Sequence, residues 1–172
     1  MTTSLVVTAV GPDRPGIVNR ISSVAQRFGA NWAGSRMANL AGQFAGIVHF
    51  EVSAEQADAL AAELLALESA DLRVVVAPGP ARLPGAAETR PVRLEIVGHD
   101  RPGIVNDLSA SLAALGVSIE ELQTELASAA MAGGTLFKVR VELAVPAGVS
   151  NAQLRRSLEA LANEMMVDVH LG

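Results

Sequence analysis

Apolar and polar residues follow two periods along this chain, and the same succession of periods occurs twice. Residues 4–10 form an apolar run with little alternation, which reads as a buried strand. Ile17, Ile21, Val24 and Phe28 then recur at helical spacing, and Gly29 follows as a C-terminal stop. Residues 31–40 read as a second strand that turns through Leu40-Ala41-Gly42-Gln43. Over 46–52, Val48, Phe50 and Val52 face one way and Ile47, His49 and Glu51 the other. Ser53 or Ala54 opens a second helix with the stripe Ala57, Leu60, Ala61, Leu64 and Leu67. Leu72, Val74 and Val76 belong to a closing strand. The order is β-α-β-β-α-β.

Residues 78–91 interrupt the pattern with four prolines and two glycines, which predicts a semi-stiff linker between domains at 1–77 and 92–172. The pattern then returns. Val92, Leu94 and Ile96 alternate; Ile104, Val105, Leu108, Leu112 and Leu115 line a helix that Gly116 ends. Residues 117–126 and 136–145 read as strands, Leu154, Leu158, Leu161 and Met165 line the last helix, and 167–171 close the unit. From Asn31 to Glu51 is 20 positions and from Ser118 to Glu142 is 24, so the second hairpin is longer. Its extra length falls in residues 127–134, expected as a plain disordered tip ahead of a mobile flap.

The repeat is sharpest at one place. Gly11-Pro12-Asp13-Arg14-Pro15-Gly16-Ile17-Val18-Asn19 recurs 87 residues later as Gly98-His99-Asp100-Arg101-Pro102-Gly103-Ile104-Val105-Asn106, with eight of nine positions the same. Two β-α-β-β-α-β units favour an α+β class, each unit a ferredoxin-like sandwich: an antiparallel sheet with both helices on one face. Strands one and three are then central. In the second unit the other sheet face shows Arg93, Glu95, Lys138, Arg140 and Glu142, able to pair across strands and stay wet. In the first it shows Val6, Thr8, Val10, Ile47, His49 and Glu51, apolar enough to pack on another sheet or subunit.

Composition narrows the chemistry. The 172 residues are half hydrophobic with 3% aromatic, so the cores are built from Val, Leu, Ile and Ala. Without cysteine, disulfides, thiolate metal sites and a thiol nucleophile are excluded. No run approaches membrane-spanning length, and a soluble cytoplasmic protein is expected. The net charge is −5, with −1 in residues 1–86 and −4 in 87–172. An acidic chain with no basic cluster is poorly suited to direct nucleic-acid binding.

At each repeated loop, proline and glycine stand at the start of a helix. Proline loses no hydrogen bond there, and glycine lets a ligand approach the backbone, so Gly16→Val is expected to block a ligand with the fold largely intact. The N–H groups of Gly16 and Ile17 are placed to receive a small carboxylate. The carboxylate of Asp13 beside them is fit to take an ammonium group, and together they match an amino-acid backbone. Asp13 and Asp100 are equally fit to cap the helices, and on chemistry alone capping is favoured. Asn19 and Asn106 are polar first-turn residues beside the same cleft.

At these loops the sequence resembles the ACT family of small-molecule-sensing regulatory domains, in two tandem copies covering nearly the whole chain. The paired arrangement is similar to that of the repressors of the glycine cleavage system. The resemblance implies an amino-acid ligand, glycine or serine, at the first strand–helix loop and the start of strand two, at an interface between domains. Carried over, it implicates Asp13, Pro15, Gly16, Ile17 and Asn31, and in the second copy Asp100, Pro102, Gly103, Ile104 and Ser118. Family sites commonly have Asn where Asp13, Asp100 and Ser118 stand, and Ser118 reaches less far, so the second site is expected to be weaker or purely structural. The small units and the apolar face of the first point to a homodimer or higher oligomer, and, if the chain controls transcription, its acidic balance points to a protein partner, a DNA-binding activator, as the route.

Competing chemistry is weak. His49, His99 and His170 have no metal-ligand spacing, and there is no nucleophile elbow, phosphate loop or dinucleotide fingerprint. Glu120, Glu121 and Glu125 read as protection of an edge strand, and Trp32 as core or interface. No enzyme, cofactor, metal or membrane partner is expected. The alternatives to a ligand sensor are a protein-interaction adaptor and a regulatory subunit of an amino-acid metabolic enzyme.

Overall fold

The computed structural model describes residues 1–79, 88–128 and 135–172. The chain forms two compact units, Met1–Pro84 and Gly85–Gly172. Unit 1 runs β1 (Thr2–Pro12), α1 (Ile17–Arg27), β2 (Asn31–Leu40), β3 (Gln43–Ser53), α2 (Ala54–Leu65) and β4 (Arg73–Pro78). Unit 2 runs β5 (Thr89–His99), α3 (Ile104–Ala114), β6 (Ser118–Ser128), β7 (Thr135–Pro146), α4 (Asn151–Met165) and β8 (Val167–Leu171). Each has one antiparallel four-stranded sheet, ordered β2-β3-β1-β4 and β6-β7-β5-β8, so the first and third strands are central.

Alternation decides which sheet face meets the helices. In β1, Leu5, Val7 and Ala9 are buried while Thr8 and Val10 are exposed. The run read as a buried strand is thus buried within the unit on the side where both helices lie, and its other face is the one expected to pack on another sheet or subunit. Val48, Phe50 and Val52 of β3 join the core, as do Ile17, Ile21 and Val24 of α1 and Leu60 and Leu64 of α2. Trp32 sets its ring edge-to-face on Phe50, with centroids 5.2 Å apart, so it serves the core. In unit 2, Leu94, Ile96, Leu108, Leu112, Val139, Val141, Leu154 and Leu158 do the same work. Val105, assigned above to the helix stripe, is instead exposed, like Val18 at the matching place in α1.

The helix stops follow the glycines. Gly29 and Gly116 have φ of 62° and 68°, and each closes a doubly bonded αL stop: Gly29 N–H donates to Gln26 O and Ala30 N–H to Ala25 O. Gly116 and Val117 repeat this with Ala113 and Leu112. The β2–β3 turn has Ala41 and Gly42 both at positive φ, which gives the twist that a two-residue hairpin needs.

Two sequence boundaries shift. Thr89, Arg90 and Pro91 belong to β5, paired with Pro146, Val145 and Ala144, although proline marked them as linker. Pro91 is tolerated because β8 pairs only from further along β5. In the second hairpin, Ser118 pairs with Ala144 rather than Glu142, so 26 positions separate the partners against 20 for Asn31 and Glu51. Of the loop read at 127–134, Ala127 and Ser128 lie in β6 and 129–134 fall outside the described residues.

Candidate ligand site at the strand–helix loops

β1 hands over to α1 through Asp13, Arg14, Pro15 and Gly16. Gly16 is the residue before the helix, at φ 96° and ψ −3°, and no side chain caps the helix. The first intrahelical bond is Arg20 N–H to Gly16 O. The N–H groups of Ile17, Val18 and Asn19 precede it and have no intrahelical acceptor. Gly103 repeats this in unit 2, at φ 99° and ψ −11°, with Asp107 N–H donating to Gly103 O and again no side-chain cap.

This overturns the capping role for Asp13 and Asp100. A glycine in the left-handed region occupies the cap position, and the aspartates stand three residues earlier. The Asp13 carboxylate accepts instead from Asn39 Nδ2 at 2.5 Å, near the end of β2, and its N–H donates to Gly42 O in the hairpin turn. On the other side, Arg14 pairs with Asp71 at 2.9 Å, and Gly11 lies so close to the Asp71 carbonyl that a Cβ there would clash. The loop of unit 1 is thus held between the β2–β3 turn and the turn before β4. Sequence reasoning missed Asn39 and Asp71, since neither lies in the repeated motif.

The open geometry at Gly16 also corrects the expectation for Gly16→Val. A Cβ there meets nothing within 4 Å, yet the positive φ strains any side chain and a β-branched one most. Such a variant tests folding as much as binding.

The two loops differ in charge at the helix start. Arg20 occupies the fourth position of α1, and its guanidinium donates to Leu67 O at 3.3 Å. Asp107 occupies that position in α3. Its carboxylate lies 3.8 Å from the Arg101 guanidinium and 3.7 Å from where a Cβ on Gly103 would be. A carboxylate ligand at the α3 start therefore meets a negative charge already in place, whereas at α1 it does not.

Of the predicted site residues, Asp13, Pro15 and Gly16, and likewise Asp100, Pro102 and Gly103, are exposed at their loops. Ile17 and Ile104 are core residues, 7% and 2% exposed, so only their backbone N–H groups can serve a ligand. Asn31 and Ser118 are not brought to the loops. Asn31 pairs with Glu51, which pairs with Ser4, and its Nδ2 donates to Glu51 Oε2 at 3.3 Å. The loop leaves β1 eight residues beyond Ser4, about 27 Å away at a strand's usual rise. Ser118 is as far from Asp100, through Ala144 and Pro91. Bulges between Trp32 and Gly34, and between Ile119 and Glu121, mark the start of the second strand in both units.

The remaining sequence candidates resolve as surface chemistry. Glu125 pairs with Lys138 and Arg140, and Glu121 accepts from Gln123 at 2.7 Å, all on the edge strand β6 or its neighbour. Among the described residues no cluster of His, Asp and Glu is arranged to hold a metal, and no helix is long and apolar enough to cross a membrane.

The ACT domain profile matches residues 3–77 and again residues 91–172. The chain belongs to the ACT domain family. A glycine cleavage system transcriptional repressor of Escherichia coli is 29% identical over 163 residues, covering 94% of this chain and 85% of the relative. The crystal structure of an unknown protein from Galdieria sulphuraria matches at 33% identity and a TM-score of 0.85, over 99% of this chain and 98% of that one. That of a candidate glycine cleavage system transcriptional repressor matches at 22% identity and a TM-score of 0.71, over 100% and 97%. The two solved structures thus share the two-copy architecture over 98% and 97% of their chains.

Proposed function

We propose that this tandem ACT chain is a non-enzymatic, amino-acid-responsive regulator in the cytoplasm. Its ligand is a small zwitterion, glycine foremost and serine next, received at the β1–α1 loop of unit 1. The observation that carries this reading is the start of α1, where glycine at positive φ stands at the cap, no side chain accepts from the first N–H groups and no acid lies in the first turn. The relative that regulates the glycine cleavage system supports glycine as ligand and transcription as output. The net charge of −5 supports an indirect route, through a DNA-binding activator rather than DNA itself.

Because each loop and the start of its second strand lie at opposite ends of one sheet, a ligand that touches residues of both kinds needs two domains rather than one. Asp107 makes the α3 loop the weaker receptor, so binding is expected at one site per chain. The test is a thermal-shift screen against the twenty amino acids, followed by calorimetry. A ligand present at 100 times its Kd adds about 2.7 kcal/mol of stability, a readily measured shift. A selective shift with glycine or serine supports the sensor. No shift with any amino acid at millimolar concentration overturns it and leaves the adaptor or enzyme-subunit reading.

A further inference from the structure

One side chain beside the β1–α1 loop of unit 1 has no counterpart in unit 2, although the two backbones match around it. In unit 1 the register sets Asn39 opposite Phe44, and Phe44 opposite Gly11. Directly paired residues share a sheet face, and Phe44 belongs to the core, so Asn39 lies on the helix side of the sheet. The same row in unit 2 runs Leu126, Phe137 and Gly98. The loop backbones are tied alike, with Asp13 N–H donating to Gly42 O at 2.9 Å and Asp100 N–H to Thr135 O at 3.1 Å. The side chains are not. Asn39 Nδ2 donates to Asp13 Oδ2 at 2.5 Å, whereas Leu126, 63% exposed, has no hydrogen-bonding group to offer Asp100.

We propose that Asn39 is a positioning residue that makes Asp13 an ammonium receptor, and so selects ligands that carry an ammonium group beside their carboxylate. The proposal rests on the reading that unit 1 receives an amino acid at this loop. The chemistry of the contact fits positioning better than bracing. A neutral amide fixes a carboxylate without cancelling its charge, whereas an arginine or lysine would hold Asp13 more strongly and compete with the incoming ammonium. Arg14, next to Asp13 in the chain, is turned to Asp71 at 2.9 Å and leaves the Asp13 charge in place. The amide also takes only one carboxylate oxygen. Asp13 Oδ1 bonds to none of the described residues and is open to a donor from a ligand. With its N–H and its carboxylate both tied to the β2–β3 hairpin, Asp13 is ordered before a ligand arrives. Ordering one free side chain on binding would cost roughly three- to tenfold in affinity.

The test compares glycine with glycolate, which share a carboxylate and differ by an ammonium against a hydroxyl. Calorimetry on the full chain gives the glycine Kd, and displacement of glycine gives that of glycolate. Asn39→Leu installs the residue that unit 2 carries at this place, so the fold accepts it. Its preference for glycine over glycolate is expected to fall roughly three- to tenfold, with an unchanged circular dichroism spectrum. Should the leucine disturb the hairpin, Asn39→Ala removes the same donor and is expected to show the same fall. Added to Asp13→Ala, Asn39→Leu is expected to cost no further affinity, since Asn39 acts through Asp13. Equal weakening of both ligands, or a preference that stays as it was, overturns the proposal alone and leaves Asn39 a brace for the loop. A wild type that binds no amino acid overturns the reading of the loop as a ligand site, and the proposal falls with it.

Discussion

Gly16 is the position where backbone geometry and the proposed binding chemistry meet, and Gly16→Ala isolates the backbone part. Its φ of 96° lies well past the centre of the left-handed region, and a Cβ there would touch nothing within 4 Å. No clash enters, so the cost is conformational strain alone. Left-handed backbone costs an L residue roughly 1–2 kcal/mol. Loss of glycine's freedom in the unfolded chain returns about 0.4–1 kcal/mol. The net loss is about 1 kcal/mol, or about 4–8 °C in Tm for a unit of this size. The assay is intrinsic: Trp32 is the single tryptophan and packs on Phe50, so its fluorescence during urea or thermal unfolding follows the core of unit 1. Gly16→Asn, which tolerates the left-handed region better, is expected to lose less than Gly16→Ala. Gly11→Ala is expected to lose more, since its Cβ runs into the Asp71 carbonyl and displaces the turn that Arg14 grips. A Trp32 midpoint that is unchanged or raised in Gly16→Ala would show that the loop does not hold this glycine at positive φ.

Two further substitutions test the local account. Ser150 caps α4 in a reciprocal box with Gln153, whereas Ser53 before α2 makes no side-chain cap bond. Ser150→Ala should therefore cost about 1 kcal/mol and Ser53→Ala only a few tenths, read by chemical denaturation followed by circular dichroism. Arg14→Ala removes an ion pair whose members are 61% and 52% exposed, and it should cost under about 1 kcal/mol. Repeating the Arg14→Ala measurement in 1 M salt should shrink that difference, since screening there acts within ~3 Å.

The elements were legible because each short element has a single period and a chemical stop. Gly29 and Gly116 end helices by the conformation only glycine takes cheaply, and the sequence shows them. The two faces of β1 were legible only through the expected layout of the unit, because Val6 and Val10 are as apolar as Leu5 and Val7. Only the position of the helices tells them apart. The capping role of Asp13 failed for a related reason. An aspartate near a helix start is a cap only if the chain bends at that residue, and here Gly16 makes the bend three residues later. The register of β1 sets Asn31 and Asp13 of one unit at opposite ends of the sheet, which motif spacing does not show, so a site using both needs two domains. Asn39, near the end of β2, and Asp71, in the turn before β4, hold the loop from distant parts of the chain and carry no local pattern.

The contrast between the copies bears on how labour divides between them. Their backbones agree down to the φ of Gly16 and Gly103 and the bulge that opens each second strand. Structure alone therefore does not require their surfaces to differ. Two differences bear on function: in the first turn of the helix unit 1 has Arg20 where unit 2 has Asp107, and on the open sheet face unit 1 has Ile47 where unit 2 has Arg140. Both differences run the same way. Unit 1 keeps an anion-receptive helix start and an apolar face, whereas unit 2 fills the first with its own carboxylate and the second with its own ion pairs. A domain that answers its surface needs internally has less to gain from a ligand or a second copy. On this argument unit 1 is the better candidate for the proposed ligand, and exchanging Arg20 and Asp107 between the units should move the proposed binding from one to the other.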